Sequence, residues 1–289
     1  MAINLAEKYS SKVQERFSLG SKTDKYVGKD YDFVGVKTIK VYSVDTVDMV
    51  NYDRDGDATT GAMRFGKLNE LGDSIQELTL HMDRAFTFSI DAGNASEQFN
   101  IKHANACLKR QIDEVVTPEV DAYRLNAWAT GYTGEGKPAA PIIVKTANGK
   151  MSKDTIMQAI FEAGADMSEE KVPATGRTIF MPESIFVQFK LADVVMGGSD
   201  TLTTENVRRG YKGTIDGMDV VTAPSSYFPT GVNFIIKHKG ATVDPFKLKN
   251  YRVHKNPMGV DGDVVEGRII YDSFVLNSKA KGICVNKSA

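Results

Sequence analysis

Two β-forming stretches, Phe33 to Val44 and Ile75 to Ile90, are separated by thirty polar, glycine-bearing residues, Asp45 to Ser74, and this spacing restricts the possible folds more than any other feature. The first stretch carries Val34, Val36, Thr38, Ile39, Val41 and Tyr42, residue types that fit a pleated, half-buried surface. In the second, Leu78-Thr79-Leu80 and Phe86-Thr87-Phe88-Ser89-Ile90 alternate apolar and polar side chains, which keeps one strand face apolar. A thirty-residue connection is long for a compact domain. If each arm of the hairpin holds ~12 strand residues at ~3.3 Å, the hairpin reaches ~40 Å, farther than one monomer's core can cover. The expectation is a projection that lies on another subunit.

A second long element follows. From Glu97 to Trp128 the apolar positions Ile101, Ala104, Leu108, Ile112 and Val115, then Val120, Tyr123 and Ala127, recur at three and four, the signature of an amphipathic helix. Asn94 or Ser96 can cap it. At ~1.5 Å per residue it makes a rod of ~45 Å. Pro118 lacks an amide and clashes one turn back, so a kink is expected there, or a restart with Thr117 as cap and Pro118 in the first helical position. Upstream of the hairpin, Ile3 to Phe17 reads as a short amphipathic helix followed by an irregular arm, too small to stay ordered without a neighbour.

After the glycine and proline break at Gly131 to Pro141 the pattern becomes alternating α and β. Lys153 to Gly164 reads as helix, Arg177 to Met181 as strand and Pro182 to Leu191 as a short helix. Gly210 to Thr222 and Val232 to His238 read as strands, which makes this region a second α/β domain. Phe246 to Val253 and Gly262 to Val285 return to β.

Composition narrows the function. The 289 residues are 42% hydrophobic and 25% charged, a globular balance that argues against disorder, collagen and coiled coil. Thirty-six Lys and Arg against thirty-seven Asp and Glu create no global positive field to draw nucleic acid. No apolar run approaches the roughly 18 residues a bilayer needs, so a soluble chain without membrane contact or secretory signal is expected. Cys107 and Cys284 stand 177 positions apart, which offers no disulfide framework and fits a reducing compartment.

Tempting motifs fail on chemistry. Gly131-Tyr132-Thr133-Gly134-Glu135-Gly136-Lys137-Pro138 matches a phosphate loop until Pro138 replaces the magnesium-binding hydroxyl, and a helix rather than a strand precedes it. Asn51 to Asp57 resembles the start of a calcium loop, but position twelve is Ala62 where a bidentate Glu belongs. His103 and Cys107 lie one turn apart without the second pair that structural zinc needs. No nucleophile elbow or HExxH occurs. No catalytic residue, cofactor site or metal site is expected.

Charge distribution is more informative. Between Asp45 and Asp73 stand seven acids (Asp45, Asp48, Asp53, Asp55, Asp57, Glu70, Asp73) against Arg54, Arg64 and Lys67. Between Lys237 and Lys255 stand six bases (Lys237, Lys239, Lys247, Lys249, Arg252, Lys255) against Asp244 alone. Solvated charge runs are common, yet the acidic stretch is the one that cannot fold back on its own core. The candidate site is therefore an interface between copies: Asp53, Asp55, Asp57, Arg64, Lys67 and Glu70 on the loop against Lys247, Lys249, Arg252 and Lys255 on a neighbour, giving orientation more than affinity.

The order of parts resembles the major capsid protein of tailed double-stranded DNA bacteriophages, with the α+β Hong Kong 97-type fold. The matching stretches are Ile3-Asn4-Leu5-Ala6-Glu7-Lys8-Tyr9, Arg110-Gln111-Ile112-Asp113-Glu114-Val115-Val116, Ile215-Asp216-Gly217-Met218-Asp219-Val220-Val221, and Val265-Glu266-Gly267-Arg268-Ile269-Ile270-Tyr271-Asp272-Ser273-Phe274-Val275-Leu276. The resemblance implies an N-terminal arm over 1–32, an extended loop over 33–92, a peripheral domain with the spine helix over 93–133 and closing strands over 238–289, and an axial domain over 134–237. It implies a structural protein that assembles as hexamers and pentamers into an icosahedral shell around DNA in the host bacterial cytoplasm. Its implied partners are a scaffolding protein, a portal protein and decoration proteins. Some relatives weld subunits through Lys-to-Asn isopeptide bonds; Lys67, Asn250 and Asn256 lie in suitable regions, but no motif identifies a pair. The competing readings are a cellular nanocompartment shell of similar fold and a dimeric α/β enzyme with a swapped hairpin.

Overall fold

A computed structural model of the chain describes residues 20–28, 31, 33, 37–52, 54, 64–66, 68, 70–92, 104–147, 151–192 and 211–288. The expected arm helix at Ile3 to Phe17 lies outside these residues.

The alternating region builds a six-stranded mixed sheet. Its strands are β4 (Ile143–Ala147), β5 (Arg177–Pro182), β6 (Tyr211–Ile215), β7 (Met218–Ala223), β8 (Val232–His238) and the last strand, β13 (Ile283–Ser288), in the order β4-β13-β8-β5-β7-β6. Period-two alternation sends neighbouring side chains to opposite layers. Ile179, Met181, Phe234 and Ile236 pack under Ile156, Ile160 and Met167 of α3 (Lys153–Glu169) and Phe186 and Phe189 of α4 (Glu183–Leu191). Phe180, Ile235, Ile283 and Val285 face the other way, against Leu125 and Trp128. Strands buried on both faces read as continuous apolar runs, which is why β8 carries Phe234-Ile235-Ile236 without interruption.

The placement of β13 differs from the expected division of the chain. The terminal strand lies between β4 and β8, second from the edge of the six-stranded sheet, rather than beside β10 and β11. Ile283, Cys284 and Val285 are fully buried there.

The spine consists of α1 (Ala104–Gln111), a π turn over Ile112–Val116, and α2 (Thr117–Thr130), together ~40 Å long. Pro118 does not restart the helix. Thr117 is itself helical (φ −61°, ψ −48°) and is no cap; its N–H donates to the Ile112 carbonyl five residues back. The return from five-residue to four-residue bonding falls at Pro118, the one residue with no N–H to misplace, so the defect of the imino acid and that of the wide turn coincide. Gly131 ends the spine in the left-handed region (φ 67°, ψ 38°).

The spine's outer half packs on a three-stranded antiparallel sheet of β3 (Met82–Asp91), β10 (Phe246–Lys255) and β11 (Gly262–Tyr271), with β11 central. A further short pair, β9 (Thr242–Val243) with β12 (Phe274–Val275), joins the two sheets.

The hairpin is shorter than its sequence pattern predicts. β1 (Thr38–Val44) pairs with β2 (Asp73–Thr79) over seven residues, ~23 Å at 3.3 Å each. The chain bends at Leu80 and His81, and β3 crosses to β11 instead of continuing the ladder. Leu80 is buried with Phe33, Val243 and Phe274, and the His81 N–H donates to Asp272 (2.9 Å). Two apolar alternations that look continuous in sequence thus serve two different sheets.

Candidate functional site

The root of the hairpin is fixed to the body. Val41 and Leu78 enter the cluster around Phe274 and Leu276. The Gln76 amide donates to the Val275 carbonyl and accepts from the Asn277 N–H, both at 2.8 Å, so one side chain clamps β2 to the segment after β12. The Lys137 ammonium donates to the Glu77 carbonyl (2.6 Å). The glycine-rich segment that resembled a phosphate loop is therefore a buttress for the hairpin, and its hydroxyl is used internally, Thr133 donating to the Pro138 carbonyl (2.6 Å).

Asp272 ties the hairpin's exit to the spine. It accepts from Tyr123 Oη (2.6 Å), the His81 N–H and the Ser273 N–H. Burial raises its pKa although these three donors oppose that shift. Burial and the Asp272 carboxylate together push the Tyr123 hydroxyl far above the usual range.

Beyond the root the hairpin turns apolar and solvent-exposed. Of sixteen exposed large hydrophobic residues among the described ones, ten lie between Tyr42 and Ile75. Met49 is 99% exposed, Leu68 84% and Phe65 82%. Tyr52 and Phe65 touch edge to face at 4.9 Å, and Gly66 (φ 81°) lies so close to Val50 that a Cβ would fall 2.7 Å from its methyl. A concentration of exposed large apolar side chains is characteristic of surfaces that meet another surface. In sequence the loop stands out by its acids; in the fold Val44, Val47, Met49, Val50, Phe65, Leu68 and Leu71 are exposed on it as well. Their irregular spacing follows no helix or strand period, so a periodicity search passes over them.

Of the loop residues expected at the interface, Arg64 and Glu70 are exposed, whereas Asp53, Asp55, Asp57 and Lys67 lie outside the described residues. On the basic segment, Lys247, Arg252 and Lys255 are exposed along β10; the side chain of Lys249 lies outside the described set. Among the described residues β10 is an edge strand, bonded to β11 alone. Basic side chains on an edge suit both protection from wrong pairing and recognition of an acidic partner.

One member of the basic run belongs elsewhere. Lys237 is buried: its ammonium donates to the Tyr26 carbonyl (2.8 Å), lies 3.8 Å from Asp244 and sits 4.0 Å from the Trp128 ring centroid. Burial brings its pKa down to about 8 against the pull of Asp244. Asp244 is buried too, accepting from Trp128, Thr242 and Ser273. The two charges cancel inside the core, so five bases and no acid of the 237–255 run remain. Charge counting along a sequence cannot see this pairing, because Lys237 reads as the polar end of an apolar strand.

The described residues hold no cluster of three or more His, Cys, Asp or Glu arranged for a metal, and no helix among them is long and apolar enough to cross a membrane. Cys107 is half-buried beside Phe88 and Ile90; its expected neighbour His103 lies outside the described residues.

No family model matches the sequence, and no curated protein matches it. Solved structures do match. A structure from Mycobacterium phage Che8 superposes with a TM-score of 0.75 at 14% identity, covering 99% of this chain and 98% of that one. The capsid structure of cyanophage P-SCSP1u gives 0.68 at 13% identity, with 99% and 93% covered. The mature capsid of bacteriophage PhiM1 gives 0.69 at 12% identity, with 99% and 92% covered. From the hairpin to the last strand, the chain has the fold of phage capsid structures.

Proposed function

We propose that this chain is the major capsid protein of a tailed bacteriophage, a structural protein whose copies assemble as hexamers and pentamers into an icosahedral shell around double-stranded DNA. The observation that carries this reading is the apolar loop from Tyr42 to Ile75, anchored at its root and exposed beyond it, on a chain folded like phage capsid subunits. A projection of this kind gains its burial from neighbours, so assembly and ordering are linked by mass action. The chain is then an arm (1–32), an extended loop (33–92), a peripheral region with the spine (93–133 and 238–282) and an axial region (134–237) completed by β13.

The loop's acidic residues Asp53, Asp55, Asp57 and Glu70, interspersed with Arg64 and Lys67, meet the basic edge of a neighbour, Lys247, Lys249, Arg252 and Lys255. Near-neutral net charge suits a container whose cargo must keep moving during packaging. A scaffolding protein, a portal and decoration proteins complete the assembly in the host bacterial cytoplasm, and the chain catalyses nothing.

Electron microscopy of the purified protein tests the reading. Closed particles are expected, with DNA inside those recovered from infected cells. A compact monomer or small closed oligomer, with no particles under any assembly condition, refutes it. Replacing Lys247, Lys249 and Arg252 by Glu is expected to abolish particles, and unchanged assembly refutes the charge pairing alone.

A further inference from the structure

Residues 21–28 lie across the spine and the six-stranded sheet as a short strap, and buried charges of the body hold them there. Asp121 on α2, 1% exposed, accepts from Ser21 Oγ (2.8 Å), the Lys22 N–H (2.6 Å) and Thr23 Oγ1 (2.6 Å). Arg124, one turn on, donates from Nη1 to the same Thr23 oxygen (2.9 Å). A hydroxyl has one proton to give and lone pairs to receive with, so the fully buried Thr23 links a buried cation to a buried carboxylate. Farther along, Lys237 donates to the Tyr26 carbonyl (2.8 Å), the Tyr26 ring meets Phe180 edge to face at 5.6 Å, and the Gly28 carbonyl accepts from the Asp244 N–H (3.4 Å). Gly28 passes so near the Thr242 carbonyl that no Cβ would fit between them.

The closed arrangement is opposed as well as held. Nε and Nη2 of Arg124 are buried and have no hydrogen-bond partner among the described residues, and leaving charged donors unmatched in the interior is costly. Burial likewise brings the Lys237 pKa down, which records the cost of keeping an ammonium out of water. Apolar packing adds little on the strap's side. Of residues 21–28 only Tyr26 and Val27 enter the apolar cluster around Leu125 and Trp128. Asp24 and Lys25 address Arg124 (3.6 Å) and Asp219 (3.8 Å) from exposed positions, where ion pairs contribute little. Hydrogen bonds that favour closure are thus offset by the desolvation of the groups that make them, a balance that lets one segment open while the rest stays folded.

We propose that residues 21–28 are a releasable strap, latched by the Thr23 hydroxyl between Asp121 and Arg124, that opens as a unit from a folded body and so sets whether the N-terminal part of the chain is tethered at Gly20 or freed as far as Gly28. Hydrogen exchange of full-length free subunits in increasing urea below the unfolding transition, read by peptide mass spectrometry, tests it. The N–H groups of Lys22, Asp24 and Tyr26, bonded to Asp121, Ser21 Oγ and the Thr23 carbonyl, report the strap, and the amides of β8 report the body. In the wild type the strap amides should be at least about tenfold less protected than those of β8, with a weaker urea dependence, the signature of local opening. Thr23→Val keeps the shape and removes both hydrogen bonds; it should lower strap protection at least about tenfold further and leave β8 unchanged. Thr23→Ser keeps the hydroxyl and should behave as the wild type. Strap amides that match β8 in protection and urea dependence in the wild type overturn the proposal whether or not the valine variant folds, because the strap then opens only with global unfolding. So does a folded Thr23→Val protein in which strap and β8 lose protection together, or in which neither changes. The measurement needs no assembly, so failure of the shell reading leaves the strap standing, and failure of the strap leaves the shell reading standing.

Discussion

Replacing Met49, Phe65 and Leu68 together by Ser isolates what the loop contributes to association. These side chains are 99%, 82% and 84% exposed, so their loss costs the folded subunit almost nothing. Fully burying a residue of this type gains about 1.5–3 kcal/mol. Scaled by exposure, the three can supply about 4–8 kcal/mol per copy when covered, and about 2–4 kcal/mol if neighbours cover half of that surface. At 1.4 kcal/mol per decade, the critical concentration for assembly should rise roughly 30- to 1,000-fold. Light scattering against protein concentration, with sedimentation to count free subunits, reads that value directly. The melting temperature of the free subunit should stay within about 1 °C of wild type, the small range expected for surface substitutions. An unchanged critical concentration with unchanged subunit melting refutes the idea that this loop is covered by another copy.

Three further outcomes concern the body. Lys237 has a folded pKa near 8, below its ordinary value, so the folded state binds fewer protons than the unfolded one above pH 8 and stability should rise by about 1 kcal/mol from pH 8 to 9. The buried Cys284 thiol, pushed up to about 12 from 9, acts with the opposite sign and should flatten that rise above pH 9, and the raised Tyr123 and Tyr271 should turn it into a loss above pH 10; denaturant titration at each pH measures the curve, and a steady fall from pH 8 contradicts it. Gly267→Val drives a side chain into the rings of Phe86 and Tyr251, and should destabilise the subunit by about 1–3 kcal/mol, seen as a lower melting temperature. Gln76→Ala removes both clamp bonds and should cost about 1–2 kcal/mol, with faster amide exchange confined to the hairpin root.

Much of the architecture is legible because it is local. The α3 stripe announces itself by period, the Tyr211–Ala223 hairpin by its turn and flanking strands, and the double-faced β8 by an unbroken apolar run. What escapes is set by contacts distant in sequence. The apparent strand from Ile75 to Ile90 divides at Leu80 because Phe274 and Asp272, some 190 residues later, capture its bend. β13 looks like another closing strand until β4 and β8 flank it. Pro118 is visible as a perturbation, but whether a helix breaks or widens depends on the packing around it, and here it widens. The loop's charges are legible in the sequence, whereas the exposure of Met49, Phe65 and Leu68 and the withdrawal of Lys237 into the core beside Asp244 and Trp128 are not, because both depend on where the chain folds back. Arg124 gives no signal in the sequence, because an arginine on a helix is ordinary and only the fold shows its Nε and Nη2 buried without a hydrogen-bond partner among the described residues.

The account stands on the exposed loop becoming covered when copies associate, and methionine oxidation reports that most directly. Met49 is fully accessible in the subunit and Met218 is buried, so peroxide treatment followed by mass spectrometry compares the two in one sample. Met49 should oxidise rapidly in free subunits and at least about tenfold more slowly after assembly, with Met218 protected in both. Equal oxidation of Met49 before and after assembly would contradict the account.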